Sequence, residues 1–153
     1  MRRPRSAVAV VALAALLLSA ELLAVAVAAP FSSRAGFQMI RNPDNPIDAV
    51  DRQFLQDAFL KKKTTWPGGG TIRPVDLAPA SPARRHFSDE VLRRPVDAIR
   101  SYWQQRIFAG RELPPPELET DAEVVRFVMR ERGAIGYVST AAALNGAKVL
   151  NIK

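Results

Sequence analysis

Apolar positions along this chain recur with two different periods, and the changes of period divide it into elements. Ala35 to Arg41 alternates, with Phe37 and Met39 on one side, as a strand does. The run Asn42-Pro43-Asp44-Asn45-Pro46 stops it, because two prolines and two asparagines form a dense turn signal. Ile47, Val50, Phe54, Leu55, Ala58 and Phe59 then follow at helical spacing. Asn45 is placed as the N-cap of that helix, with Pro46 at its first position. Lys61, Lys62 and Lys63 close it, where cations complement the negative end of the helix dipole.

Thr64 to Gly70 cannot remain helical past Pro67, and a hairpin-like turn is expected before a strand at Thr71 to Val75. The three glycines lack the spacing and the Lys-Ser/Thr pair of a phosphate-cradling loop. Ser81-Pro82 repeats the cap-then-proline pattern and opens a helix with Ala83, Phe87, Val91 and Leu92 on one side. Pro95 opens another, carrying Val96, Ile99, Trp103 and Ile107, with Tyr102 and Trp103 read as core. Phe108-Ala109-Gly110-Arg111 ends it, and Leu113 to Pro116 is a stiff connection.

Thr120-Asp121-Ala122-Glu123 has capping-box spacing, and the helix it starts offers Ala122, Val125, Val128 and Met129 to the core. Gly133 to Thr140 reads as a short buried strand that delivers Ser139 and Thr140 at its end. Gly136 inside it leaves room for a close approach. Lys148 to Ile152 is the final strand. Strands alternating with helices predict an α/β fold, a small mixed sheet flanked by helices.

Composition alters this picture mainly at the amino terminus. Three arginines within residues 1–5, an uncharged Ala/Val/Leu run over 7–20 and small residues over 24–29 have the form of a secretory signal peptide. Ala26-Val27-Ala28 is the expected cleavage signal, giving a signal peptide over 1–28 and an α/β domain over 29–153. Removing Arg2, Arg3, Arg5 and Glu21 takes the formal charge from +7 to +5. The expected location is periplasmic or secreted. A mild excess of cations suits anionic ligands, and export argues against nucleic acid. The absence of cysteine excludes disulfides, thiol catalysis and thiolate metal sites. The single histidine, His86, supports neither a metal site nor a catalytic triad, so no enzyme and no cofactor are expected. Arg84 and Arg85 stand in the first turns of a helix, where cations are locally unfavourable. An anion at the helix start would justify them, as would nearby carboxylates such as Asp89 and Glu90.

The ordered set of features resembles the phosphate-binding-protein-like members of the type 2 periplasmic substrate-binding family, which serve ABC transporters. The matching pieces are the strand leading into Asn42-Pro43-Asp44-Asn45-Pro46, Phe59 to Trp66, Arg84 with Phe87, Trp103 with Phe108-Ala109-Gly110, and Gly133 to Val138. The resemblance implies a single periplasmic-binding-protein-like lobe that captures phosphate or a similar small oxyanion. Its candidate contacts are Arg84, Arg85, Ser139, Thr140, Asn42 and Asn45. An ABC permease or another periplasmic protein is the implied partner. Family members have two lobes, and this sequence has residues for about one. The family's Ser-Gly-Thr stretch is missing, and Asp44, Asp48 and Asp51 make the first loop acidic. The alternative is therefore an accessory or structural interaction protein that kept the lobe, lost the ligand and self-associates or docks to a partner.

Overall fold

The computed structural model describes residues 36–153; the expected signal peptide, 1–28, lies outside the described residues. Four strands that lie far apart in sequence form the main sheet. β1 (Gln38–Arg41) pairs antiparallel with β6 (Ala134–Val138), with Met39 opposite Tyr137 and Ile40 opposite Gly136. β3 (Arg73–Pro74) lies parallel on the other side of β6, and β7 (Lys148–Val149) lies antiparallel beside β1. The order β3-β6-β1-β7 makes a mixed sheet with β6 inside it. Two parallel pairs form separate two-stranded sheets: β2 (Ala49–Val50) with β8 (Asn151–Ile152), and β4 (Asp76–Leu77) with β5 (Glu117–Leu118).

All five residues of β6 are buried, and its pleat sorts the core into two halves. On one face Tyr137 stacks on Phe87, with ring centroids 4.0 Å apart, and also meets Phe37 and Phe59. Phe59 comes from α1 (Arg52–Phe59) and Phe87 from α2 (Pro82–Phe87), so those helices cover this face. On the other face Gly136 lies against Val124 and Val128 of α4 (Asp121–Arg130). The close approach expected of Gly136 is therefore made by a helix. A five-residue π-helical turn, Ser88–Leu92, follows α2, and α3 (Val96–Phe108) follows that.

Several expectations hold in detail. Trp66 and Gly70 close the hairpin-like turn through a 2.9 Å backbone hydrogen bond, and Thr65 bridges Thr71. Ser81 caps α2 with Pro82 at its start. Trp103 is buried, and Tyr102 is partly buried with its hydroxyl donating to the Leu60 carbonyl.

Others are corrected. Helix α1 begins at Arg52, not Pro46, because the Asp51 carboxylate accepts from the Phe54 amide and takes the cap. Asn45 instead makes an Asx turn, accepting from the Ile47 amide at 3.0 Å. Val50 is thereby freed to pair with Ile152. The helix also ends before the lysine run, at Leu60. The final strand breaks in two at buried Leu150, its halves serving different partners. In α3, Ile107 is half exposed. In α4 the buried stripe is Val124, Val125 and Val128, so Ala122 and Met129 turn outward.

The capping box on α4 is complete: Thr120 accepts from the Glu123 amide, and Glu123 accepts from the Thr120 amide at 3.0 Å. Hydrogen bonds from the Thr120 hydroxyl and then its amide hold the Glu123 carboxyl below the usual glutamate range. Such a group stabilises the fold above its unfolded pKa, and that contribution is lost as pH falls through the lowered folded value. Thr120→Ala is expected to cost about 1 kcal/mol at neutral pH. Urea titrations should show the gap between variant and parent narrowing at acid pH, where Glu123 is protonated in both, while the share owed to the Thr120 hydroxyl accepting from the Glu123 amide persists.

Candidate functional site

Arg84 is the most constrained of the candidate contacts. Ser81 fixes where α2 starts, and Phe87 follows Arg84 by three positions, so both face the core. Arg84 is only 2 % exposed. Its Nη1 makes an ion pair with the buried Asp76 carboxylate and donates to the Tyr137 hydroxyl at 3.2 Å. Tyr137 in turn donates to Asp76 Oδ1 at 2.5 Å and accepts from the Leu77 amide. Burial pushes the Tyr137 hydroxyl well above the usual tyrosine range, with Arg84 opposing, so it remains a proton donor to Asp76. Arg84 thus reaches neither Asp89 nor Glu90 but a carboxylate on β4.

One part of this guanidinium is left over. Arg84 Nε is buried and has no acceptor among the described residues. The Arg84 side chain also forms part of the wall of a cavity of ≈ 200 Å³. Most of the remaining wall is apolar: Val96, Ile99, Trp103 and Ile107 from α3, with Pro79 and Pro114, while Arg100 and Glu117 supply charge. Chemically the cavity combines a buried, ion-paired arginine with a mostly apolar wall.

The other candidate contacts do not converge on it. Ser139 donates both its amide, at 3.1 Å, and its hydroxyl to the Asp121 carboxylate at the start of α4. Its carbonyl accepts from Gln38, as does that of exposed Thr140. Asn42 and Asn45 lie beyond the opposite end of β6, since the Asn42 amide donates to the Ala134 carbonyl. A five-residue strand spans roughly 13 Å between those ends. Asn42 donates to the Val128 and Met129 carbonyls, at 2.8 and 3.2 Å, and so ties down the carboxyl end of α4. The Asn45 carbonyl accepts from buried Arg41, whose other end nitrogen pairs with Asp48. Arg85 is exposed, donates to the Ala80 carbonyl at 2.8 Å and borders an adjoining open cleft with Asp89 and Asp97, which shares Pro79, Val96 and Arg100 with that cavity.

Sequence reasoning found Arg84 but missed Asp76, Tyr137 and the apolar wall. The available signals were a lone carboxylate in the Val75 to Leu77 run and a tyrosine inside an otherwise apolar strand. Among the described residues no group of three or more His, Cys, Asp or Glu side chains is placed to hold a metal ion. No helix there is long and apolar enough to cross a membrane.

No protein-family model and no curated protein matches this sequence. Solved structures do match its fold. An ABC-type phosphate transport receptor from Vibrio cholerae superposes with a TM-score of 0.60 at 17% identity, over 76% of this chain and 46% of that one. A phosphate ABC transporter substrate-binding protein with bound phosphate, from Clostridium perfringens, gives 0.60 at 18% identity, over 76% of this chain and 44% of that one. PstS from Borrelia burgdorferi gives 0.58 at 14% identity, over 77% and 47%. The chain therefore spans less than half the length of the receptors it matches, and it has the α/β fold of a periplasmic-binding-protein-like lobe.

Proposed function

We propose that this chain is a substrate-binding-protein-like receptor lobe, exported to the periplasm or secreted, that captures a small oxyanion for an ABC transport system. The observation that carries the reading is Arg84. A guanidinium held in place by Asp76 and Tyr137, on the wall of a cavity, sets a fixed cation beside a space that a small anion can enter. Its setting in a fold shared with phosphate transport receptors supports the same role. Nothing in this role needs catalysis, a cofactor or nucleic acid, and an ABC permease is the partner it calls for.

A second reading has its own support. Ser139 and Asn42, both expected to contact ligand, are spent on Asp121 and on α4. On that reading the lobe is an accessory interaction protein without a ligand, docking to a periplasmic partner or to a second copy.

A thermal-shift screen of phosphate, sulfate and small carboxylates decides between them. Under the receptor reading at least one anion raises the melting temperature, by about 2.7 kcal/mol equivalent at a hundredfold excess over Kd. Arg84→Lys, which keeps a cation beside Asp76 but removes the planar guanidinium, should lose that response. A parent protein indifferent to every anion at high millimolar concentration would leave only the accessory role.

A further inference from the structure

We infer that the carboxyl end of α3, together with the lysine run after α1, is a docking surface for an anionic lipid membrane. Phe108 and Leu113 are 91 % and 69 % exposed, and half-exposed Ile107 stands beside Phe108. Among the described residues these are the three most exposed large hydrophobic side chains. The backbone that carries them is a closed turn. The Gly110 and Arg111 amides donate to the Ile107 and Arg106 carbonyls at 2.9 and 3.0 Å, and Gly110 takes a positive φ. Apolar side chains gathered outside an ordered turn mark a surface made to meet something.

The charges around the turn say what it meets. The Tyr102 hydroxyl donates to the Leu60 carbonyl, so the later turns of α3 lie on the segment where α1 ends. Leu113 lines one cleft with Lys61 and Lys63. Lys62, Lys63 and Arg111 are exposed, and Lys61 is partly so. None of these four cations makes an ion pair among the described residues. The Lys63 ammonium lies 5.3 Å from the centre of the Phe54 ring. The carboxylates nearby are engaged elsewhere: Glu112 pairs with Arg106 at 2.7 Å, and Asp57 accepts from Gln53 at 3.1 Å. Lys61 also has a left-handed backbone, φ 54, where glycine is the easier residue. A lysine there puts a cation where conformation alone does not favour one.

Exposed Phe and Leu side chains bordered by free cations fit a peripheral membrane face. Headgroup phosphates meet the lysines and arginine, while the apolar side chains enter the acyl boundary. Free phosphate would answer the cations and leave Phe108 in water. A rigid acidic protein would need a pocket shaped for a projecting ring, whereas acyl chains yield to it. The inference stands on this surface alone and holds under either reading of function above.

The full chain carrying Phe108→Trp tests it, with vesicles of brominated phosphatidylcholine alone or mixed with brominated phosphatidylglycerol. Brominated chains quench a tryptophan that enters them. Trp66 and Trp103 are each 5 % exposed and should stay unquenched in the parent, so the signal reports this surface wherever else the chain touches lipid. Quenching is expected on the phosphatidylglycerol vesicles, not on phosphatidylcholine, and molar salt should abolish it. Replacing Lys61, Lys62 and Lys63 together by glutamine should raise the half-saturating lipid concentration about a hundredfold. Leu113→Ser should raise it about tenfold, with all variants melting as the parent does. An unquenched Phe108→Trp protein on charged vesicles would overturn the inference, as would equal quenching on phosphatidylcholine or full affinity without the three lysines. Sedimentation of a dimer that Phe108→Ser dissolves, with no quenching on lipid, would give the surface to a second copy instead.

Discussion

Asp76→Ala should destabilise the fold by about 3–5 kcal/mol, the usual cost of removing one partner from a buried ion pair. The loss would come less from the attraction forgone than from what stays behind. Arg84 is 2 % exposed and cannot swing out to water without leaving the core beside Phe87 and Tyr137. Tyr137, whose hydroxyl donates to Asp76 at 2.5 Å, would lose its acceptor at the same moment. Thermal unfolding at neutral pH should show the midpoint falling by roughly 10 °C or more. Asp76→Leu combined with Arg84→Met should recover much of the loss, since an apolar pair of similar volume carries no desolvation penalty. A single Asp76→Ala variant melting like the parent would show that Arg84 finds another counter-charge. The double variant also separates stability from binding, because it should fold and yet respond to no anion.

What could be read from the sequence and what could not follow a physical division. Features decided within about four residues were legible. The Thr120–Glu123 capping box, the Ser81-Pro82 helix start and the turn between Trp66 and Gly70 are each closed by bonds between near neighbours. The start of α1 was not, because two capping signals compete there and a distant segment decides between them. Asn45 and Asp51 can each cap a helix, but pairing of Val50 with Ile152 holds Ala49–Val50 extended, and that leaves the cap to Asp51. Nothing near residue 50 announces a partner a hundred positions away.

The candidate site shows the same division more sharply. Arg84 and Arg85 stand side by side in sequence, and only helix phase separates a buried residue from an exposed one. The role of Arg84 depends on Asp76 and Tyr137, brought together because the segment that pairs with β6 as β3 runs straight on into β4. Ser139 and Thr140 do arrive at the end of β6 as the pattern suggests. Asn42 and Asn45 cannot join them there, because β1 runs antiparallel to β6 and carries its own end to the far edge. Strand direction is a tertiary property, and residue types alone do not encode it.

Gly133→Ala is expected to be as damaging as loss of the buried carboxylate, for a reason that is purely steric. The residue sits at the entry to β6 with an ordinary, non-positive φ, so its conformation is open to alanine. Space is what is lacking. A methyl group there would overlap the backbone carbonyl oxygen of Thr71. That carbonyl belongs to the segment entering β3, whose Arg73 amide donates to the Gly133 carbonyl at 2.9 Å. The same carbonyl accepts from the Trp66 indole at 3.1 Å. Relief requires the two backbones to part, which breaks the parallel pairing of β3 with β6 at its first rung. We expect a cost of about 3 kcal/mol or more, read as a fall of roughly 10 °C in melting midpoint.

Gly136→Ala makes the comparison that tests this account. Its added methyl would lie 2.8 Å from Val75 Cγ1 and Val124 Cγ1, the ends of two side chains. Valine methyls and the helix carrying Val124 can give by a few tenths of an ångström, so about 1–3 kcal/mol is expected. The order of the two variants is the decisive result. Equal losses, or a milder Gly133→Ala, would mean that the β3–β6 contact yields more readily than the packing of α4, and the sheet would then owe less to its backbone pairing than the buried run of β6 implies.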